Sequence, residues 1–197
     1  MASHRMEILE AILRLRQICC SPHLVDAEVG SAKLERMMED LEAVVAEGRK
    51  VLIYSQFTEM LKRIASEVEG KGWEYVYLDG SSENCEALVQ RFQEDPKTQL
   101  FLISLKAGGV GLNLTAADYV FLFDPWWNDA VEQQAIDRAH RFGRKEAVIA
   151  RRYVTALSIE EKMMHLKQRK SALAEGLLDF EQGGPQLTMQ DLLELLS

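Results

Sequence analysis

"LFLISLKAGGVGLNLTAADYVFLFDPWWN", residues 100–128, encloses a glycine-rich turn between two apolar runs, 100–104 and 119–123. Neither run alternates with polar residues. Unbroken apolar runs this short suit strands covered on both faces, the environment of a parallel sheet. Three similar runs occur along the chain: "VLIYS" (51–55), "EYVYL" (74–78) and "VIARRYV" (148–154). Helical patterns over 58–69, 84–93 and 129–142 separate them. This rhythm predicts an α/β fold, an open parallel sheet with helices on both faces and right-handed crossovers. Ligands in such sheets gather beyond the carboxyl ends of the strands. "SQF", "DGSS", "SLKAGG" and "DPWWN" all stand at predicted strand ends, so these loops are the first candidates for function.

The 197 residues, 47% apolar and 27% charged, are enough to bury a full core. A formal net charge of -8 argues against holding nucleic acid by bulk electrostatics, so a polyanion site must be local. The three cysteines have no C-x-x-C spacing and fit a reducing compartment. Cys19, Cys20 and His23 lack the spacing and the fourth partner of a zinc site, so no metal site is expected. No apolar run approaches the ~20 residues of a membrane span. "MASHR" (1–5) reads as a leader outside the fold, and 6–31 as an N-terminal helix and connector. Residues 32–157 read as the main domain, with a helix over 32–47. A helical extension follows over 158–197, with a capping box from Ser158 to Glu161 and a short apolar-rich helix after Thr188.

Residues 134–144, "QAIDRAHRFGR", gather basic charge in an acidic chain. At about 100° per residue, Gln134, Arg138 and Arg141 share one helix face, while Val131, Ala135, Ala139 and Phe142 form a second stripe suited to the core. A capping box from Asp129 to Glu132 would start this helix just after "DPWW". Two guanidinium groups three residues apart can reach one phosphoryl group, or can pair with Asp137 and Glu132 on a solvated surface. In the glycine-rich turn, Gly108, Gly109 and Gly111 let backbone approach a phosphate closely. Of Trp126 and Trp127, one suits the core and the other a stacking platform for a base or sugar.

"LRQICCSPHLV", "KVLIYSQFTEML", "YLDGSS", "FLISLKAGGVGLNLTAADYVFLFDPWWN" and "EQQAIDRAHRFGR" occur in this order. From about Leu15 to the C-terminus, the chain resembles the second, RecA-like motor lobe of Swi/Snf-type ATPases, duplex-DNA translocases of helicase superfamily two. The style of "LISLKAGGVGLNL" is nearest to bacterial members. The resemblance implies that Arg138 and Arg141 act as arginine fingers on the γ-phosphate, with Gln134 beside them. It implies that Gly109, Gly111 and Asn113 meet nucleotide and the lobe interface. Ser55, Gln56, Ser104, Lys106 and Trp127 are implied contacts to the tracked DNA strand.

Two positions depart from the family pattern. Cys85 stands where an arginine usually follows "DGS", which puts that arginine's contact in doubt, and "HRIGQ" reads "HRFGR", placing a charge at Arg144. The sequence has no G-x-x-x-x-G-K-[ST] and no Walker-B acidic pair. The resemblance therefore implies that ATP and Mg2+ are held largely by a first RecA-like lobe, which this chain lacks. The chain alone is expected to bind no cofactor and to hydrolyse no ATP. The implied partners are double-stranded DNA, that first lobe and a protein of the remodelled DNA complex, with no membrane. The implied location is the bacterial cytoplasm at the nucleoid, or the nucleus in a eukaryote. Two other readings remain: an RNA-directed or strand-separating helicase lobe, and a free-standing protein-interaction module on the same fold.

Overall fold

The computed structural model describes residues 2–82, 84–105, 107, 112–139, 147–175 and 188–196. Five strands, β1 (Val51–Ser55), β2 (Glu74–Leu78), β3 (Thr98–Ser104), β4 (Tyr119–Leu122) and β5 (Ile149–Arg152), form one sheet in the order β2-β3-β1-β4-β5. Every pairing is parallel. The central strand β1 is buried along its whole length, which explains its uninterrupted apolar sequence. Its side chains alternate between two cores, as the strand period of two requires. Val51 and Ile53 join Leu100, Leu102 and Phe121 on one face. Leu52 and Tyr54 join Phe101, Ile103, Val120 and Leu122 on the other. The last strand, β5, is an edge strand with all four residues exposed, so the apolar pattern there is weak for a physical reason.

Helices α2 (Ala32–Ala46) and α3 (Thr58–Gly70) cover the first face. Helices α4 (Cys85–Glu94) and α5 (Asp129–Asp137) cover the second. Ser31 caps α2 through the Leu34 N–H at 3.2 Å, and Gly48 closes it at φ +71°, a conformation costly for any residue with a Cβ. Cys85 opens α4 and packs half-buried against the second core, behind an Asn84 cap that accepts the Ala87 N–H.

A third cluster lies outside the sheet. Helices α1 (Ala2–Cys20), α6 (Ile159–Glu175) and α7 (Met189–Leu196) bury Ile8, Ile12, Ile159, Met163, Leu166, Leu192 and Leu195 together. Helix α7 therefore docks on its own chain, held also by ion pairs Lys170–Asp191 and Arg169–Glu194. The α6 start differs in detail from a capping box. Ser158 Oγ accepts the Glu160 N–H, and Glu161 accepts the Leu157 N–H instead of that of Ser158. Leu157 sits at φ +53°, which turns its N–H toward that carboxylate.

Candidate functional site

The sheet order puts the ends of β1, β3 and β4 side by side, and the loops leaving them interlock. Phe123 N–H reaches the Tyr54 carbonyl at 3.0 Å, and Leu105 N–H reaches the Ser55 carbonyl at 3.1 Å. At the centre lies Asp124, fully buried just beyond β4. It accepts the Ser55 hydroxyl at 2.5 Å, the Gln56 backbone N–H at 3.1 Å and the Gln56 side-chain amide at 2.8 Å. Burial raises its carboxyl above the ordinary value, while the Ser55 hydroxyl and the Arg16 guanidinium oppose that rise. Arg16, from α1, donates to the Pro125 carbonyl at 3.1 Å and lies over the Phe57 ring.

Ser55 and Ser104 are thus buried, with Ser104 Oγ accepting the Ala107 N–H at 3.3 Å. Gln56 is half-buried and its amide is already engaged with Asp124 and the Pro125 carbonyl. The two tryptophans divide as their neighbours require. Trp126 is core, edge-on to Tyr54 with ring centres 5.7 Å apart. Trp127 is half-buried against the third cluster, where it lines an apolar groove with Leu9, Ile12, Leu192 and Leu195.

Helix α5 carries Gln134, exposed, and ends in Arg138, half-buried at its C-cap. These two line a recess with Tyr54, Leu105 and Trp126. Among the described residues, Arg138 Nε and Nη1 are buried there without a hydrogen-bond partner. Unpaired buried guanidinium nitrogens are costly and call for an explanation. The guanidinium lies near the Tyr54 hydroxyl, whose pKa is pushed up by burial and partly restrained by that positive charge. The Arg138 carbonyl accepts the Leu114 N–H at 2.9 Å, tying α5 to the end of the glycine-rich turn. Asn113, next to Leu114, is exposed, and its carbonyl accepts the Gln93 amide at 2.9 Å. Gly109, Gly111, Lys106 and Arg141 lie outside the described residues, as does Arg144.

Three expectations about this helix are corrected. The N-cap is Asn128, accepting the Ala130 N–H at 2.9 Å, and Asp129 is the first helical residue. Glu132 does not complete a capping box, because it is buried and pairs with Arg152 of β5 and Lys167 of α6. It is equally no partner for Arg138, and Asp137 accepts from Gln133. The inward stripe is also rotated: Glu132, Ala135, Ile136 and Ala139 are buried, whereas Val131 is half-buried. Phe142 lies outside the described residues.

Sequence reasoning missed Asp124, Arg16 and Lys167, and gave Glu132 a different role. A carboxylate closing an apolar run was the available signal for Asp124. Among the described residues there is no group of three His, Cys, Asp or Glu side chains arranged to hold a metal, and no helix long and apolar enough to cross a membrane.

The family model for the helicase conserved C-terminal domain matches residues 32–143. The DNA repair protein rad8 of Schizosaccharomyces pombe is 39% identical over 170 residues, 84% of this chain and 15% of that protein. The curated relatives compared are covered over 12% to 22% of their length. The C-terminal domain of the Sulfolobus solfataricus SWI2/SNF2 ATPase superposes with a TM-score of 0.72 at 30% identity, covering 96% of this chain and 77% of that one. The same organism's SWI2/SNF2 ATPase core in complex with double-stranded DNA gives 0.73 at 33% identity, covering 87% and 37%.

Proposed function

Because this chain belongs to the helicase conserved C-terminal domain family and has the fold of a SWI2/SNF2 ATPase C-terminal lobe, we propose that it is the second motor lobe of an ATP-dependent duplex-DNA translocase. The observation that carries the reading is Arg138. Among the described residues its Nε and Nη1 are buried without partners, in a recess it shares with Gln134. A phosphoryl group offers the paired acceptor oxygens that a guanidinium fork lacks there.

In this reading the motor lobe spans about residues 32–157, flanked by the N-terminal helix and connector and by the 158–197 extension. ATP is the substrate, bound at the face where α5 ends. Arg138 and Arg141 steady the charge that develops on the transferring γ-phosphoryl group. Gln134, Asn113 and the backbone at Gly109 and Gly111 complete that face. Mg2+ and most of the phosphate cradle come from a first lobe elsewhere in a longer protein, so this chain by itself turns over no ATP.

DNA contacts come from the neighbouring strand ends, through Gln56, Lys106 and Trp127 and the loops that Ser55 and Ser104 brace. Loops gathered at adjacent strand ends suit a phosphate backbone without reading its sequence. Closing on ATP and opening after hydrolysis would shift this grip relative to the first lobe and so move the protein along one strand. Such a lobe works wherever duplex DNA is, at the nucleoid or in the nucleus, alongside the proteins of the DNA complex it remodels.

The test is ATP turnover by a protein that contains this chain together with a P-loop lobe, compared without nucleic acid, with duplex DNA and with duplex RNA. Stimulation by duplex DNA is expected. Stimulation by RNA alone would favour an RNA-directed lobe, and no ATP turnover under any condition would leave a protein-interaction module.

A further inference from the structure

Helix α6 passes beside the loop that leads into α5 and sends Lys167 into it. The Lys167 side chain is only 5% exposed, and its ammonium has three acceptors. It donates to the Trp126 carbonyl at 2.7 Å and to Glu132 Oε2 at 3.0 Å, and it pairs with the Asp129 carboxylate. A buried ammonium is tolerated when acceptors surround it, and here it has two hydrogen bonds and an ion pair. Glu132 is in turn 1% exposed, and its other oxygen accepts the Arg152 Nε–H from β5. One lysine therefore binds the last turn of backbone before α5 and two carboxylates in the first turn of α5.

Among the described residues, α5 buries Ala135 and Ile136 in the second core, with Val131 packed half-buried beside them and Ala139 buried just beyond its end. The Arg138 carbonyl accepts the Leu114 N–H. These apolar contacts leave the N-terminal end to the polar hub, and Arg138 sits at the opposite end. At 1.5 Å per residue, the nine steps from Asp129 to Arg138 span about 13 Å, so a tilt of about 5° at the hub moves Arg138 by about 1 Å.

We infer that Lys167 is a positioning residue for the arginine helix: it acts through α5 on Arg138 and makes α6 part of the motor's catalytic apparatus. The inference rests on the proposed reading of Arg138 as a phosphate contact. Lys167 touches no substrate in this account. Its role is to hold the lever whose far end does.

The experiment has two arms, so that this inference and the reading of Arg138 can fail separately. In the first, backbone amide exchange is followed on the 197-residue chain with Lys167→Met. Amides of α5 should exchange at least about tenfold faster, with β1 and β3 within about twofold of the parent. Unchanged exchange in α5 overturns the inference. If Lys167→Met loses protection everywhere, Lys167→Gln, which keeps a donor for the Trp126 carbonyl, is judged by the same criterion.

In the second arm, ATP turnover is measured in the protein carrying both lobes. Lys167→Met should lower kcat roughly 10–100-fold, the scale of a misplacement near 1 Å, with KM for ATP unchanged. In an Arg138→Ala background the same change should cost less than about twofold, because the two residues act as one unit. An equal cost in both backgrounds means that Lys167 acts elsewhere and overturns the inference. Normal turnover by Arg138→Ala alone would instead remove the reading of Arg138, with the exchange result standing apart from it.

Discussion

Replacing Lys33 by Met tests how firmly the C-terminal helices are joined to the sheet domain. Lys33 of α2 donates to both oxygens of Glu160 on α6, at 2.6 and 2.5 Å, with side-chain exposures of 5% and 1%. Its ammonium also lies 5.4 Å from the centre of the Phe123 ring. Without Lys33, the partners left to the Glu160 carboxylate among the described residues are the Thr155 N–H at 2.9 Å and the Cys20 thiol at 3.9 Å. Removing one partner of a buried pair strands the other charge and costs about 3–5 kcal/mol. For a domain of this size that lowers Tm by roughly 10 °C. Lys33→Met combined with Glu160→Gln should recover to within about 1–2 kcal/mol of the parent, since the amide still accepts the Thr155 N–H and no charge is left buried. Urea unfolding followed by tryptophan fluorescence, with calorimetry alongside, gives both values. A loss below about 1 kcal/mol for the single variant, or a double variant no better than the single, would refute a dry buried pair.

The Lys170 ammonium and the Thr188 hydroxyl and N–H hold Asp191 below its ordinary pKa of 3.8, against a desolvation effect that alone would raise it. A depressed carboxyl stabilises above its unfolded value and loses that contribution as pH falls through its folded value. Docking of α7 should therefore weaken below about pH 4, seen as faster amide exchange in α7. Asp191→Asn should remove that step. Trp126→Ala should cost about 3–5 kcal/mol in urea unfolding because the ring is core, whereas Trp127→Ala should cost less and should weaken DNA binding. Duplex binding by the isolated chain should be weak, indifferent to sequence and steeply lost as salt rises in a titration, because a few phosphate contacts work against a net charge of -8. Tight binding that survives high salt would contradict this.

The sheet was legible because its strands are buried on both faces. β1 and β3 leave no room for polar alternation, so their sequences announce a parallel sheet directly. β5 was the hardest strand to bound, since its Ile149–Arg152 stretch is an exposed edge. The loops holding Gln56 and Trp127 were singled out because ligands gather at strand ends in such sheets, and both do follow strands, β1 and β4. Asp124 and Lys167 were not singled out, and Glu132 was given another role, because their partners lie 20 or more residues away in sequence. A local pattern reads Glu132 as the capping-box carboxylate three residues after Asp129. Only the arrival of α6 and β5 turns it inward. Arg151 of β5 likewise pairs with Asp40 and lies over the Tyr119 and Phe121 rings, contacts made only in the fold.

The central claim is that the arginines of "QAIDRAHRFGR" act on a transferring phosphoryl group. Its most direct test is DNA-stimulated ATP turnover, in a protein carrying both lobes, of Arg138→Ala, Arg141→Ala and Arg141→Lys, with Arg36→Ala as the exposed control. Each alanine variant should lower kcat at least about a hundredfold with DNA affinity and Tm nearly unchanged. Arg141→Lys should rescue poorly, since an ammonium cannot reproduce the planar fork. Normal kcat in a stably folded Arg138→Ala or Arg141→Ala variant would contradict the account and return that arginine to the protein surface.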